Sequence, residues 1–271
     1  LDTDTVRLSA STIKQLFEDT NYTLDDVRKT KLVKPVALTL LPGEIKMIES
    51  TKKRKDFFIQ IVLPLILQEN NNIKLDRKKL FNIINKSHNS KIEKQWLNTK
   101  YKQYGVPSKD LSILKIRMDE VPVSLAIAQA AKETGWGTSR FAQEGNALFG
   151  QWTVQGDRGI VPARRDADRF HKVKAFETLL DAVRAYARNL NTHRAYRKFR
   201  SDRAGFRQEG TYLDGLALAS SLSKYSERGD EYVKSLRSLI QSNRLENLDQ
   251  AKLSDKADLE GRHVPLANSA I

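Results

Sequence analysis

Residues 122–137 read PVSLAIAQAAKETGWG, and this stretch decides the fold because it contains the start, the body and the end of one helix. Pro122 suits the first turn of a helix. The alanine-rich body favours a helix that packs closely against a neighbouring helix. Gly135 and Gly137 then end it, because glycine readily adopts the left-handed backbone found after helix C-termini. The sequence therefore predicts a closely packed helix whose last turn holds Glu133.

Glu133 is the sharpest candidate for a catalytic group. The aligned peptide dipoles place partial negative charge at this end of the helix, and Trp136 follows within one turn. Both influences disfavour the carboxylate and raise its pKa, as a general acid near neutral pH requires. One turn earlier lie Gln129 and Ala130, a small floor that a sugar ring can approach. A solvent-exposed glutamate near a helix end is the alternative interpretation.

A second carboxylate is harder to assign from the sequence. Glycoside hydrolysis usually takes two carboxyl groups unless the substrate's own acetamido group assists. Asp166, Asp168 and Glu144 are the candidates, and each also reads as an ordinary surface charge. Among the aromatic residues that follow Glu133, Trp152 and Tyr225 have polar neighbours and are predicted to line a sugar-binding groove. Phe141, Phe149 and Phe176 read instead as core residues.

The rest of the chain predicts a mainly α fold. Before residue 119, helical periodicity indicates a short helix near residues 11–17, a core helix over 57–67, two helices over 76–104 and another over 108–118, with an extended segment at 33–42. After it, residues 160–176 predict a small β-hairpin, and helices resume over 178–190, 212–222 and 230–245. The predicted regions are an N-terminal helical region (1–118), a helical domain with a small β-hairpin lobe (119–245) and a C-terminal extension (246–271) with a peripheral helix and a tail.

Composition narrows the choice of chemistry and partner. Lys and Arg outnumber Asp and Glu by 47 to 33, and the net charge of +14 favours anionic partners such as nucleic acid, membrane surface or bacterial wall polymer. The absence of cysteine excludes disulfides and thiolate chemistry. The four histidines show no metal-ligand spacing and there is no glycine-rich phosphate loop, so we predict neither a metal site nor a cofactor. The chain does not open with Met and shows no leader, so we expect a processed or trimmed form.

Three separated blocks resemble a known family. They are AIAQAAKETGWGTSRFAQEGNALFGQW (126–152), KAFETLLDAVRAYARNLNTHRAYRKFR (174–200) and SLSKYSERGDEYVKSLRSLI (221–240). In this order they resemble the glucosaminidase family of flagellar rod-cap hydrolases, autolysins and Bax-like proteins, similar to glycoside hydrolase family 73. NLNTH and YSERG resemble the Bax-like branch most. The resemblance covers residues 120–245, and residues 33–118 also resemble the region that precedes the domain in that branch.

The resemblance implies a lysozyme-like fold that hydrolyses the β-1,4 bond between N-acetylglucosamine and N-acetylmuramic acid of peptidoglycan. It carries the acid role onto Glu133 and places Tyr225 near the catalytic centre. Many family members have a glutamate in the β-lobe, whereas this chain has VPARRDADRFHKV (161–173), so Asp168 is the expected substitute unless the acetamido group takes over. The substrate-binding residues that it implies are Trp136, Asn146, Phe149, Gln151, Trp152, Tyr186 and Tyr196.

Two alternatives stay open beside this interpretation. A muramidase or lytic transglycosylase also relies on one glutamate at a helix end. A wall-binding or scaffolding protein that has lost turnover is consistent with the missing glutamate and the basic surface. Nucleic-acid binding rests on charge alone, and we expect none. The implied substrate places the protein in the cell envelope, periplasmic or exported, with a peripheral envelope contact; protein partners cannot be read from the sequence.

Overall fold

The computed structural model describes residues 6–153, 159–160 and 172–255. Helices make up most of this part of the chain, so the predicted mainly α, lysozyme-like fold class is confirmed. The helices are α1 (Ala10–Asp19), α2 (Leu24–Thr30), α3 (Thr51–Ile84), α4 (Lys91–Gln103), α5 (Leu111–Arg117), α6 (Val123–Thr134), α7 (Arg140–Gly145), α8 (Leu179–Thr192), α9 (Arg197–Gln208), α10 (Gly215–Leu218) and α11 (Asp230–Ser242). Short 3₁₀ helices cover Gly43–Met47, Arg194–Tyr196, Ala219–Tyr225 and Leu245–Leu248.

The strands are short and form two small sheets. They are β1 (Leu32–Val33), β2 (Trp152–Thr153), β3 (Gly159–Ile160), β4 (Lys172–Lys174) and β5 (Lys252–Leu253). The central strand β4 pairs antiparallel with both β2 and β3, so the predicted hairpin over 160–176 is one part of a three-stranded lobe. Strand β5 pairs in parallel with β1 and returns the C-terminal stretch to the N-terminal region.

Helix α3 is longer than predicted. The sequence analysis expected a core helix over 57–67 and a separate helix from residue 76, and this division is wrong, because α3 runs unbroken through the buried Pro64. Proline cannot donate to the carbonyl four residues earlier, which belongs to Gln60. The hydroxyl of Tyr22 donates to that carbonyl instead, at 3.1 Å, and the Gln60 amide donates back to the Tyr22 carbonyl at 2.7 Å. The orphaned acceptor is thus satisfied, and the helix continues.

Two further elements differ from the prediction. Helix α9 was not predicted, since its sequence RKFRSDRAGFRQ has too few apolar residues to show a clear period. The predicted peripheral helix after residue 245 is a four-residue 3₁₀ helix, and it is not peripheral, because Leu245 and Leu248 are fully buried. The tail from residue 256 onward lies outside the described residues.

One buried apolar cluster holds most of the described chain together. Helix α6 lies within it, since every residue from Val123 to Ala131 is buried. The cluster also includes Phe58 of α3 and Ile45 from the N-terminal region, so the core is continuous across the predicted boundary at 118/119. A second, smaller cluster lies between the end of α3 and helices α4 and α5. The described residues include no helix long and apolar enough to cross a membrane.

A buried group of charges lies at that same boundary. Asp119 is 2% exposed and accepts from the Arg207 guanidinium at 2.8 and 3.1 Å. Arg77 of α3 lies 3.7 Å from the same carboxylate, and Arg203 of α9, which is fully buried, lies 4.0 Å from it. Burial alone would raise the pKa of Asp119, but the three guanidinium groups outweigh it and lower the pKa. The network joins α3 to α9 through Asp119, and a second link runs from Lys74 of α3 through Glu120 to Arg207.

Candidate active site

Glu133 lies where the sequence predicts it, in the last turn of α6. The three residues from Gly135 to Gly137 all have left-handed backbone, with φ of 59°, 61° and 82°. Of the three, Trp136 has the most strained backbone, because a residue with a bulky side chain rarely adopts this conformation. Strain of this kind is often found at functional sites. The amide of Gly137 donates to the Thr134 hydroxyl at 2.9 Å, which fixes the turn. The backbone after Glu133 is therefore held in one conformation.

The Trp136 ring is anchored to the N-terminal region. It packs edge to face on Phe58 of α3, with ring centroids 6.0 Å apart, and the Lys55 ammonium lies 5.0 Å from its centroid. A Cβ added at Gly137 would lie 2.9 Å from the Phe58 ring, so only glycine fits there. Helix α3 thus supports the turn that follows the acid.

A chain of hydrogen bonds leads through the core to the Glu133 carboxyl. The Tyr186 hydroxyl donates to the Gln129 side-chain carbonyl at 2.5 Å, and the Gln129 amide donates to the Tyr232 hydroxyl at 3.0 Å. The Tyr232 hydroxyl then donates to Glu133 Oε1 at 3.1 Å. Because Gln129 and Tyr186 are buried, each link has a fixed orientation. The chain directs one hydroxyl proton at the candidate acid.

The surroundings of Glu133 favour the protonated form of its carboxyl group. The residue is reached by solvent, yet protein surrounds much of its carboxyl group, and this burial raises the pKa. The hydrogen bond from Tyr232 and the nearby Lys132 ammonium act in the opposite direction, but they are weaker, and the net pKa is above the usual glutamate value. A raised pKa is what a general acid near neutral pH needs.

The loop from Asn146 to Gly150 passes directly over the carboxyl. The Asn146 side-chain amide donates to the carbonyls of Phe176 and Glu177 at 3.1 and 3.0 Å, which ties the loop to the segment before α8. Gly150 has φ of 59°, and a Cβ placed there would lie 3.0 Å from Glu133 Oε2. Glycine is required at this position for both its backbone and the close approach.

Tyrosine rings form a stack beside the carboxyl. Tyr225 lies parallel to Tyr232 with centroids 5.6 Å apart, and the Tyr196 ring is tilted by 34° against Tyr225 with centroids 5.7 Å apart. The Tyr225 hydroxyl donates to the Phe149 carbonyl at 3.0 Å, so its ring is fixed against the loop. Phe149 is buried and stacks on Tyr186 at 3.9 Å.

A groove of about 690 Å³ opens next to these residues. Of the predicted substrate contacts, it is lined by Phe149, Gln151, Tyr196 and Tyr225. Its other lining residues are Gly150, Lys174, Phe176, Asp181, Arg184, Ala185, Arg188, Asn189 and Thr192.

The other predicted residues either lie away from the surface of the groove or are not among the residues that the structure describes. Tyr186 and Asn146 are each 1% exposed and lie beneath the surface of the site, and their contact with substrate stays a prediction. Trp136 contacts α3. Strand β2 contains Trp152, whose side chain is outside the described residues, and so are Asp166 and Asp168.

The groove offers little help in naming a second carboxylate. Glu144, one of the predicted candidates, lies on α7 and pairs with Arg140 at 3.6 Å. Asp181 lines the groove, but it accepts from the Thr178 hydroxyl at 2.8 Å and lies 3.4 Å from Arg184. Within residues 6–153, 159–160 and 172–255, no cluster of three or more His, Asp or Glu residues could hold a metal ion. The metal-free chemistry stays a prediction.

The sequence analysis missed Gln129 and Tyr232 as functional residues. Gln129 stands alone as a polar residue in the alanine-rich body of α6, and this was the available signal. Tyr232 comes seven residues after Tyr225, in the first turn of α11, where nothing local indicates contact with α6. Its position follows only from the packing of α11 against α6.

Comparison with known proteins agrees with this geometry. Residues 113–245 match the glucosaminidase family, described as mannosyl-glycoprotein endo-beta-N-acetylglucosaminidase. The chain belongs to the Bax-like proteins of the glucosaminidase family. It is 31% identical to Protein bax of Escherichia coli (strain K12) over 207 residues, which cover 74% of this chain and 73% of that protein. No solved structure gives a significant match. Membership of this family implies a glycoside hydrolase type of domain that binds a glycan.

Tyr232 provides a first test of the site. Tyr232→Phe removes the hydrogen bond that favours the Glu133 carboxylate, so the pKa of Glu133 should rise. Because a general acid works in its protonated form, the alkaline limb of the pH profile of kcat/KM should move to higher pH. We also expect kcat/KM at the optimum to fall about twofold to tenfold, the range for one lost hydrogen bond.

The matched control is Tyr212→Phe, since Tyr212 is about half exposed and makes none of these contacts. It should leave the pH profile in place. An unmoved alkaline limb in Tyr232→Phe, with the fold intact by circular dichroism, would show that the hydroxyl does not tune the acid.

Proposed function

We propose that this protein is a peptidoglycan hydrolase, an endo-β-N-acetylglucosaminidase that cleaves the β-1,4 bond between N-acetylglucosamine and N-acetylmuramic acid. The observation that carries the proposal is the Glu133 carboxyl, whose pKa is raised by burial and which lies at the edge of a large groove. The glucosaminidase family supports the glycan substrate. The stacked tyrosines support it as well, since sugars pack their apolar faces on such rings.

In the proposed reaction, Glu133 donates its proton to the oxygen that bridges the two sugars. The bond between that oxygen and the anomeric carbon breaks, and positive charge develops on the ring. Either water or the oxygen of the sugar's own 2-acetamido group attacks the anomeric carbon. In both routes one water molecule is consumed, and its proton restores Glu133. The Tyr232 hydroxyl stabilises the carboxylate while the proton is absent.

The second catalytic role is proposed for Asp168, with the acetamido group as the alternative. Tyr225 is proposed to contact the sugar at the reacting bond, because its ring lies between the acid's partner Tyr232 and the groove-lining Tyr196. Phe149, Gln151 and the loop that contains Asn146 would shape the binding surface, and Trp152 and Tyr186 complete the predicted set.

The proposed partner is the glycan strand of peptidoglycan, and the proposed location follows from it. A chain that acts on the wall works in the cell envelope, in the periplasm or outside the cell. The net charge of +14 favours a polymer that carries carboxylates. Nucleic acid is not proposed as a partner, because the groove is lined by tyrosine rings and opens next to the Glu133 carboxyl, rather than offering a phosphate-binding surface alone.

This proposal is tested by identifying the sugar at the reducing end of the cleavage products. Purified peptidoglycan is digested with the intact protein and with Glu133→Gln, and the borohydride-reduced fragments are analysed by mass spectrometry. We expect fragments that end in reduced N-acetylglucosamine, formed by the intact protein and absent with the variant.

Two other results would contradict it in different ways. Reduced muramic acid ends, or anhydromuramic ends, would retain Glu133 as the acid but identify a muramidase or a lytic transglycosylase. No products on several walls, with binding to sacculi retained in both proteins, would identify a wall-binding protein without turnover.

A further inference from the structure

One face of helix α8 forms the polar wall of the groove. The residues that line it are Asp181, Arg184, Ala185, Arg188, Asn189 and Thr192. Their spacing of three and four places them on a single side of the helix, about 16 Å long. The opposite side, from Leu179 through Val183 to Leu190, is buried in the core. The core therefore fixes the orientation of the wall.

This wall presents more positive than negative charge to the groove. The groove is lined by the positively charged Lys174, Arg184 and Arg188 and by the negatively charged Asp181. Arg184 and Arg188 are four residues apart on the helix, and like charges at this spacing are destabilising unless something offsets them. For Arg184 the offset is visible, since Glu69 lies 3.6 Å and Asp181 3.4 Å from its guanidinium.

Arg188 is different. It is exposed, and no ion pair to it forms within the part of the chain that the structure describes. It lies near enough to Glu69 to lower the pKa of that carboxyl, but the direct contact of Glu69 is with Arg184. Ala185, the small residue between the two arginines, leaves space in front of them. A guanidinium with donors free toward an open groove suits a planar anion such as a carboxylate.

The polar wall belongs to a groove that opens next to the acid, although Glu133 itself does not line that groove. Gly150, which lies against the Glu133 carboxyl, and Tyr225, which stacks on Tyr232, line the same groove as Arg188. A glycan held with its scissile bond at Glu133 therefore extends substituents of neighbouring sugars toward α8. Neutral sugars offer the guanidinium only hydroxyl and acetamido oxygens, which carry no negative charge.

We propose that Arg188, assisted by Lys174 and Arg184, binds a carboxylate of the muramic acid side chain, either the lactyl group itself or the peptide stem attached to it. This deepens the proposed function and rests on it for the identity of the substrate. The consequence is selectivity: the groove prefers glycans that carry carboxylates over chitin, which has the same backbone linkage without them.

The test measures binding without turnover. In a Glu133→Gln background, calorimetry at low salt gives affinities for stem-bearing strands, for strands stripped by an amidase, which keep a free lactyl carboxylate, and for chitin oligomers. We expect the carboxylate-bearing strands to bind more tightly than chitin. Arg188→Gln should weaken them about threefold to tenfold, the range for one charged contact at a partly exposed site.

The control is Arg244→Gln, the same change at an exposed arginine that does not line this groove. It should leave all three affinities alone. A loss in Arg188→Gln confined to stem-bearing strands assigns a stem carboxylate as the source, and a loss confined to stripped strands assigns the lactyl carboxylate, which is an amide wherever the stem is attached. A loss on both strands shows that the guanidinium pairs with whichever carboxylate the strand carries. Equal affinity for the three glycans, or an Arg188→Gln variant that matches Arg244→Gln, would overturn the inference. This experiment measures binding and not cleavage. Its result therefore does not depend on whether the digestion experiment supports the proposed hydrolase.

Discussion

Replacing Glu133 by Gln is expected to lower kcat/KM on peptidoglycan by about 10² to 10⁴, the usual contribution of a positioned general acid. The amide cannot donate a proton to the leaving oxygen as the carboxylic acid does. Its carbonyl can still accept from the Tyr232 hydroxyl, so the surrounding hydrogen bonds are kept. Release of reducing ends from purified sacculi, followed over a range of protein concentrations, measures the loss.

The matched control for this loss is Glu144→Gln, the same substitution on an exposed glutamate of α7 that pairs with Arg140 at the surface. We expect it to retain activity within about twofold, because exposed ion pairs contribute little. Stability separates a chemical effect from misfolding. Because burial raises the pKa of Glu133, its ionised form disfavours the folded state at neutral pH, and the Gln variant should melt at the same or a higher temperature. More than a tenth of the activity in Glu133→Gln would remove the glutamate from the acid role.

Much of the fold can be predicted because its signals are local. Helices α6, α8 and α11 each carry an apolar face and recognisable ends, and the structure confirms them close to the predicted bounds. The unbroken α3 could not be predicted in this way. Its continuation through Pro64 depends on a hydrogen bond from Tyr22, thirty-eight residues earlier than Gln60 in the chain. The pairing of β1 with β5 depends on a contact between residues much further apart in the chain, since Leu32 pairs with Lys252.

The candidate site, like the fold, has parts that local sequence predicts and parts that depend on distant contacts. Glu133 could be found from its own helix, since the helix end, the following glycines and the tryptophan are adjacent in sequence. The residue that donates a hydrogen bond to its carboxyl could not, because Tyr232 lies on α11, ninety-nine residues later. Arg188 reads in the sequence as one more surface charge, and its significance comes from the groove that α8 forms with β4 and the loop at Gly150.

The buried charges at Asp119 give the second large effect. Arg203 is fully buried, and burial lowers its pKa to about 10 even though Asp119 acts to raise it. Its guanidinium donates to the backbone carbonyls of Ile116, Asp119 and Glu120 at 2.9 to 3.1 Å. These bonds hold the end of α5 and the segment that leads into α6. Asp119 is the carboxylate that Arg77 and Arg203 approach, and Arg207 pairs with both Asp119 and Glu120 at 2.8 Å.

Asp119→Ala is therefore expected to lower the free energy of unfolding by about 3 to 5 kcal/mol, the usual cost of leaving a buried charge without its partner. Urea unfolding followed by circular dichroism measures the difference. The control Asp25→Ala removes an exposed carboxylate that pairs with Arg28 at 3.3 Å, and it should change stability by less than about 0.5 kcal/mol.

The pH dependence of that difference tests its electrostatic origin. The folded protein holds the pKa of Asp119 below its unfolded value of about 4. Stability gained from the ionised carboxylate is therefore fully present above that unfolded value and is lost as the pH falls through the lower folded-state pKa. The deficit of Asp119→Ala should narrow as the pH falls through this range. A deficit that stays constant down to the acid unfolding limit would show that Asp119 contributes packing rather than charge, and a deficit no larger than that of Asp25→Ala would show that α3 and α9 are joined by the apolar core alone.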